Sequence, residues 1–152
     1  MVNEVIKAKA SVIVGGIYLA STAPTFTLND SSVVPTYNVG WYSDAAGTVP
    51  IISINEGNTL YLVLKTTSIY NGNQFTYSLT GTGLTAADFS TGELTGTMTV
   101  NNNIASIQFV LNRDFSTEGV EDITATVKRG SVTVGTALLT INDTDVTPPS
   151  AS

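Results

Sequence analysis

The sequence predicts an all-β protein, and more specifically a single β-sandwich. From residue 51 onwards, short apolar strands recur at intervals of roughly ten residues, with turn-forming residues between them. Threonine and other β-branched residues fill these strands, whereas no segment shows the apolar spacing of a long amphipathic helix. A chain of 152 residues is long enough to bury one such core. We therefore expect about seven strands in two packed sheets.

The strand pattern of residues 1–50 is shorter and more interrupted than that of the rest of the chain. Short strands are predicted at 12–14, 17–19, 26–28 and 37–42, and Gly, Pro and Asn-Asp-Ser clusters separate them. These pieces are too short to bury a core, so we expect a β-rich N-terminal arm with accessory strands. The arm would pack on the second half of the chain or on a neighbouring subunit. Its candidate partner contacts are Val12, Ile13, Val14, Ile17, Tyr18, Leu19, Trp41 and Tyr42.

The start of the arm also imitates a secretion signal, because Lys7 and Lys9 precede the apolar stretch 10–20. Glu4 lies in the region that would have to be basic, and glycines dilute the apolar stretch, so a strand is favoured. The stretch is also shorter than the ~20 apolar residues of a membrane span.

Residues 51–146 carry the regular strand pattern. Segment 59–66 is nearly continuous in apolar residues, as a strand buried on both faces would be, and segment 74–80 alternates with period two. Strands at 95–100 and 104–111 flank Asn101-Asn102-Asn103 and predict a hairpin.

A second pair, at 123–128 and 132–141, flanks Arg129-Gly130-Ser131. One short helical turn is predicted at 85–88. The proline-rich residues 147–152 cannot extend a sheet and are predicted to be a tail.

The composition argues against several classes of function. Six basic residues are scattered along a chain of net charge −6, so no basic stripe is available to bind nucleic acid. Without Cys or His, the chain lacks zinc sites, thiol nucleophiles and imidazole bases. We expect a protein that is not an enzyme and that binds neither nucleic acid nor a membrane.

Acidic residues recur where the predicted strands stop. The sequence carries Asn55-Glu56-Gly57, Asp88-Phe89, Asp114, Glu118-Gly119-Val120-Glu121 and Ile141-Asn142-Asp143-Thr144-Asp145. In this order, over residues 52–145, these landmarks resemble the Calx-beta family. The resemblance implies a seven-stranded, immunoglobulin-like antiparallel sandwich, some members of which bind Ca²⁺ through acidic loops at one end.

Carried over position by position, the resemblance makes Ca²⁺ a candidate ligand of this chain. The implied ligands are Glu56, Asp88, Asp114, Glu118, Asp143 and Asp145, with Glu121 as a further candidate. Ca²⁺ takes six to eight oxygen ligands, which several loops can supply together. In the alternative interpretation the acids only keep the loops soluble, and Arg113 neutralises them by pairing with carboxylates.

The second half of the chain is also similar to modules in virion proteins of tailed phages, particularly those infecting cyanobacteria. This similarity is carried by 74–83, 85–90, 118–121 and 141–149. It indicates a lineage of sandwich modules better than it indicates one function. The absence of catalytic groups, the low-charge β surface and the apolar arm favour a structural protein of a virion, first of all a decoration or cement protein on the capsid surface. Such a protein would bridge subunits of the major capsid protein and act as a homo-oligomer on the particle. The alternatives are a tail fibre or baseplate component, and a Ca²⁺-dependent adhesion or receptor-binding module at a cell surface.

Overall fold

The computed structural model describes residues 4–7, 10–14, 17–21, 25–115 and 117–144. The chain forms two compact units, Met1–Val34 and Pro35–Ser152. This division differs from the boundary predicted at residue 50. The reason is that Thr36–Tyr42 forms a full seven-residue ladder with the central strand of a sheet in the second unit.

The first unit is built from two antiparallel strand pairs. Strands β1 (Glu4–Lys7) and β4 (Thr25–Leu28) pair with each other, and β2 (Ala10–Val14) pairs with β3 (Ile17–Ser21). The β2–β3 pair is therefore nested inside the β1–β4 pair along the chain, and we call these four strands the ribbon. The predicted arm contacts at 12–14 and 17–19 lie on β2 and β3, but their side chains are outside the described part of the structure.

The second unit contains two sheets. Its strands are β5 (Thr36–Tyr42), β6 (Ser53–Asn55), β7 (Thr59–Thr67), β8 (Gln74–Thr80), β9 (Thr95–Thr99), β10 (Ile104–Val110), β11 (Glu121–Arg129) and β12 (Val132–Asn142). One sheet has the order β10-β7-β5 and the other β6-β12-β11-β8-β9. Every pairing is antiparallel except that of β6 with β12. The predicted all-β sandwich is confirmed, and this strand order is compatible with the immunoglobulin-like topology.

The core lies between the two sheets. It is fully apolar at its centre, where Leu60, Leu62 and Leu64 of β7 face Ile123 and Val127 of β11, all at 0% exposure. Alternate residues of each strand point inward, because successive side chains of a strand lie on opposite faces. The predicted pairing of β11 with β12 is confirmed, as is the short helical turn, a 3-10 helix at Ala86–Asp88.

The hairpin predicted around Asn101-Asn102-Asn103 is wrong. The turn exists, and Asn101 and Ile104 exchange backbone hydrogen bonds of 2.8 and 3.1 Å. However, β9 belongs to the five-stranded sheet and β10 to the three-stranded sheet. The turn therefore connects the sheets rather than two neighbouring strands, a distinction that turn residues alone do not encode.

Trp41 and Tyr42, two of the predicted arm contacts, lie in the second unit. They end β5 in the second unit and are 2% and 8% exposed. Trp41 packs edge-on against Phe109 at 5.7 Å between ring centroids, and its Nε1 donates to the Ala137 carbonyl at 3.2 Å. Both residues are therefore used within the sandwich itself.

The segment after β5, residues 43–50, folds over the outer face of the three-stranded sheet. Gly47 approaches so closely that a Cβ there would lie 3.0 Å from Val63 Cγ1, and Val63 is 0% exposed. The expectation that 59–66 is buried on both faces is thus met at Val63. No helix in the described part of the chain is both long and apolar enough to cross a membrane.

Candidate functional site

Five of the predicted acidic side chains converge at one end of the sandwich. They line a cavity of about 70 Å³ together with the amide of Asn112. The five are Glu56, Asp88, Asp114, Glu118 and Glu121. They come from the turn after β6, the 3-10 helix, the loop after β10 and the start of β11. Four separate stretches of the chain therefore meet at this point, which we call the acidic end.

Hydrogen bonds from the backbone and from side-chain amides fix the loops that carry Glu56 and Asp88. Asn58 Nδ2 donates to the carbonyls of Asn55 and Glu56 at 3.0 and 3.3 Å. The Asp88 carboxylate accepts from the Thr85 N–H at the start of the 3-10 helix. Asn112 Nδ2 donates to the Ala87 carbonyl at 2.7 Å, and its N–H donates to the Asp88 carbonyl at 2.8 Å. The loop after β10 is therefore tied to the 3-10 helix.

Glu121 is the most buried acid of the cluster. It opens β11, and the alternation that turns Ile123 and Ala125 into the core turns Glu121 inward as well. The residue is only 9% exposed, and burial raises the pKa of its carboxyl. Burying a carboxylate is costly, because desolvation penalises the charged form.

A tight turn packs directly against the Glu121 carboxylate. Gly83 has φ = +80°, and a Cβ built on it would lie 2.7 Å from Glu121 Oε1. A side chain at this position would therefore be both strained and in collision with the acid. The turn lets the backbone cover Glu121 without filling the cavity beside it.

Asp143 lies at the rim of the acidic end. Its Oδ2 accepts from the N–H groups of Glu118 and Gly119 at 2.8 and 3.1 Å. This contact joins the end of β12 to the loop before β11. Asp145, the last predicted ligand, is outside the described residues.

Three carboxylates are spaced as ligands of a single cation. One oxygen each of Asp88, Glu118 and Glu121 lies within 4.8 Å of the others. The charge of Asp114 raises the pKa of Glu118, and the charges of Asp88 and Asp143 add to the effect. Burial raises the pKa of Glu121, with further contributions from Asp88 and Glu118. Both shifts mean that negative charge is crowded here.

Arg113 is the basic residue beside this cluster. Its Nε lies 3.4 Å from the Cβ position of Gly57, so its side chain runs along the turn that carries Glu56. In the predicted alternative, Arg113 neutralises the acids. Its position would let it do so on the side of the acidic end where Glu56 lies.

The arrangement fits a hard cation that prefers oxygen ligands. The group offers carboxylates from several loops, and the chain contains no Cys or His. Ca²⁺ accepts six to eight such ligands in flexible geometry and often completes its shell with water. Glu121, Glu118 and Asp88 would hold the ion, and the remaining acids would complete or surround its shell.

The sequence understated the part played by Glu121. From the sequence, Glu121 is only a further candidate beside six others. The available signal was the period-two pattern Glu121, Ile123, Ala125, Val127, which places the acid on the buried face.

No family model matches this chain, and no curated protein matches it either. Among solved structures it is similar to a conjugative transposon lipoprotein from Bacteroides eggerthii, with 11% identity and a TM-score of 0.34. That similarity covers 75% of this chain and 100% of the other. It is also similar to the human F-spondin reeler domain, with 10% identity, a TM-score of 0.32, and coverage of 74% and 82%. TM-scores this low establish neither a shared fold nor a shared function.

Proposed function

We propose that the chain is a non-enzymatic structural module of the Calx-beta type, and that Ca²⁺ bound at the acidic end stabilises its sandwich. The observation that carries this proposal is Glu121, a nine-tenths buried carboxylate that faces other carboxylates. A cation between them would remove the desolvation and repulsion that raise its pKa.

The test is a thermal melt in chelator and in about 10 mM Ca²⁺. Ca²⁺ that binds only the folded state stabilises it by mass action. With a Kd of about 10⁻⁴ to 10⁻³ M, typical of extracellular modules, the gain is about 1.4 to 2.7 kcal/mol. The melting temperature should rise by about 4 to 10 °C.

Glu121→Gln and Asp122→Asn form a matched pair for this test. Both remove one negative charge from β11 at neighbouring positions, but Asp122 is exposed and its Oδ1 accepts from Thr140 Oγ1 at 3.1 Å. Glu121→Gln should lose the Ca²⁺ response and Asp122→Asn should keep it. Equal responses in the two variants, or no Ca²⁺ response in the unmodified protein, would refute the site.

Arg113→Gln tests whether the guanidinium of Arg113 competes with Ca²⁺ for the acidic side chains. If Arg113 neutralises the acids, removing its charge should destabilise the protein in chelator and strengthen Ca²⁺ binding. If the cation site is independent of Arg113, the Ca²⁺ response of Arg113→Gln should equal that of the unmodified protein.

As the setting of this module we propose the surface of a virion, where it would act as a decoration or cement protein that bridges capsid subunits. The support is the separate N-terminal unit. The ribbon is followed by residues 29–34, all exposed, and by the half-exposed Pro35. An arm and a sandwich that bind different subunits would gain affinity through multivalency. Stripping the protein from purified particles should lower capsid stability, and its absence from particles would exclude the role.

The alternatives within the same proposal are a tail fibre or baseplate component and a Ca²⁺-dependent adhesion module. Labelling of intact particles with an antibody against the chain distinguishes capsid from tail. Binding to host cells that is abolished by chelator and by Glu121→Gln would favour adhesion.

A further inference from the structure

We propose that the free edge of β9 is a strand-addition site, and that the ribbon of a second copy of this chain occupies it. The inference rests on the proposal that the first unit is a binding arm, and it does not depend on calcium. The free edge of β9 would be the surface to which the arm binds.

The hydrogen bonds at both ends of the β8–β9 pair show which way β9 presents its backbone. At one end the Leu79 N–H donates to the Leu94 carbonyl at 2.7 Å, and at the other the Val100 N–H donates to the Asn73 carbonyl at 2.9 Å. In an antiparallel ladder, bonded and non-bonded pairs alternate along the strand. The register of this pair is unbroken between those two ends. Gly96 and Met98 therefore direct their N–H and C=O groups to β8.

The intervening residues Thr95, Thr97 and Thr99 therefore direct their backbone groups away from β8. The described residues supply no backbone partner for these groups. Three N–H and three C=O groups in a row are a template for another strand.

This edge has none of the devices that usually prevent such pairing. The strand reads Thr95-Gly96-Thr97-Met98-Thr99, without Pro, without charge and without a bulge. The neighbouring edge of β10 is different. The Ser90 N–H bonds the Val110 carbonyl at 3.0 Å there, and the Asn101–Ile104 turn closes the other end.

The ribbon has the complementary properties. A two-stranded pair is marginally stable on its own and gains from a third strand. Its strands β2 and β3 have five residues each, the length of β9, and none of the three strands contains a charged residue. Phe26 and Leu28 of β4 are 51% and 47% exposed, so the ribbon also has apolar surface to bury.

The experiment measures amide hydrogen exchange of the full chain by NMR, in chelator, at low and high protein concentration. Thr95, Thr97 and Thr99 should exchange fast in the dilute protein and at least about tenfold more slowly in the concentrated protein. Gly96 and Met98 should be protected at both concentrations, because β8 already binds them. Sedimentation should show self-association over the same range.

Two variants of Thr97 test the edge itself. Thr97→Pro removes an N–H that faces outward and leaves the β8 ladder intact, so it should abolish self-association while Gly96 and Met98 stay protected. Thr97→Val keeps the N–H and should associate as the unmodified protein does. Val12→Pro in β2 removes the other partner and should expose Thr97 at every concentration.

Three results would overturn the proposal. Fast exchange of Thr97 at all concentrations would leave the edge unoccupied. Slow exchange that is independent of concentration would mean that the arm pairs within its own chain. Self-association that survives both Thr97→Pro and Val12→Pro would place the contact elsewhere.

Discussion

At Glu121, burial and the negative charge of neighbouring carboxylates both disfavour the ionised side chain. It has little water to solvate its charge and faces the carboxylates of Asp88 and Glu118. The folded protein therefore holds a proton on Glu121 at a higher pH than the unfolded chain does. This makes the ligand-free sandwich sensitive to pH in a direction opposite to ordinary acid denaturation.

In chelator, we expect the free energy of unfolding to rise as the pH is lowered from neutrality towards 4.5, the ordinary pKa of a glutamate. The pKa values of Glu118 and Glu121 are raised above 4.5, so in this window the folded state binds more protons than the unfolded state. Stability from these groups is complete at low pH and is lost as the pH rises through their raised pKa values. Urea denaturation at three pH values measures the slope.

The variant Glu121→Gln should flatten this slope, and added Ca²⁺ should reverse it, since Ca²⁺ binds the ionised carboxylates. The lowered pKa values of Asp30 and Asp44 act in the opposite direction, but only below 3.8. A flat profile for the unmodified protein in chelator would contradict the prediction.

The order of acids along the sequence was enough to predict most of the cluster. Glu56, Asp88, Asp114 and Glu118 each follow or precede a strand at the same end, and the structure brings them around one cavity. What could not be read from the sequence is how far each side chain is buried. Burial of Glu121 depends on Gly83, which lies in a turn nearly forty residues earlier in the chain.

At the scale of elements, the loop 43–50 acts as a cover for the three-stranded sheet. Asp44 organises the loop: its carboxylate accepts from the N–H groups of Thr48 and Val49 at 2.8 to 3.0 Å. Lys65 Nζ then donates to the Gly47 carbonyl at 2.6 Å, which holds the loop against β7. The partly buried Asp44 thus helps to hold the loop that covers Val63.

Asp44→Ala should lower the melting temperature of the sandwich and make residues 43–50 sensitive to protease. The change removes the hydrogen bonds that close the loop, so Val63 behind it gains access to water. Asp30→Ala is the matched control. Asp30 is also an acid with local bonds, to the N–H and hydroxyl of Ser32, but it is exposed and lies in the segment after the ribbon. Equal melting temperatures for the two variants would show that the loop is not a cover.

Elements with local signals could be predicted, and those set by distant contacts could not. The strands 37–42, 74–80 and 123–128 follow from alternation and β-branched composition, and the structure has strands at all three. The sequence also predicts the turn at Asn101-Asn102-Asn103. The turn connects the two sheets because β9 pairs with β8 and β10 pairs with β7. Neither partner strand lies in the turn itself.

At the scale of the whole molecule, one phenyl ring joins the two sheets. Phe109 of β10 meets Tyr77 of β8 at 5.6 Å and Phe89 at 5.4 Å between ring centroids. It also meets Trp41 of β5. The contacts with Trp41 and Tyr77 are edge-on and that with Phe89 is tilted, and such aromatic contacts add to the free energy of burial.

Phe109→Ala should lower the free energy of unfolding by about 3 to 5 kcal/mol, a large part of the stability of a typical domain. Phe109→Leu should cost less, about 1.5 kcal/mol, because it fills more of the space. Urea denaturation monitored through Trp41 measures both. Tyr70→Ala, at an aromatic residue that is 86% exposed, should change stability by less than about 0.5 kcal/mol. A Phe109→Ala cost as small as that of Tyr70→Ala would refute this role.

The pairing of β6 with β12 also determines how the sandwich responds to force. These strands run parallel, with Ser53, Ile54 and Asn55 beside Thr140, Ile141 and Asn142. Their backbone bonds, Thr140 N–H to Ile52 at 3.1 Å and Glu56 N–H to Asn142 at 3.3 Å, lie across the strand direction. A force applied between residue 51, before β6, and residue 143, after β12, would slide one strand along the other and load these bonds together. No disulfide shares that load, because the chain contains no cysteine.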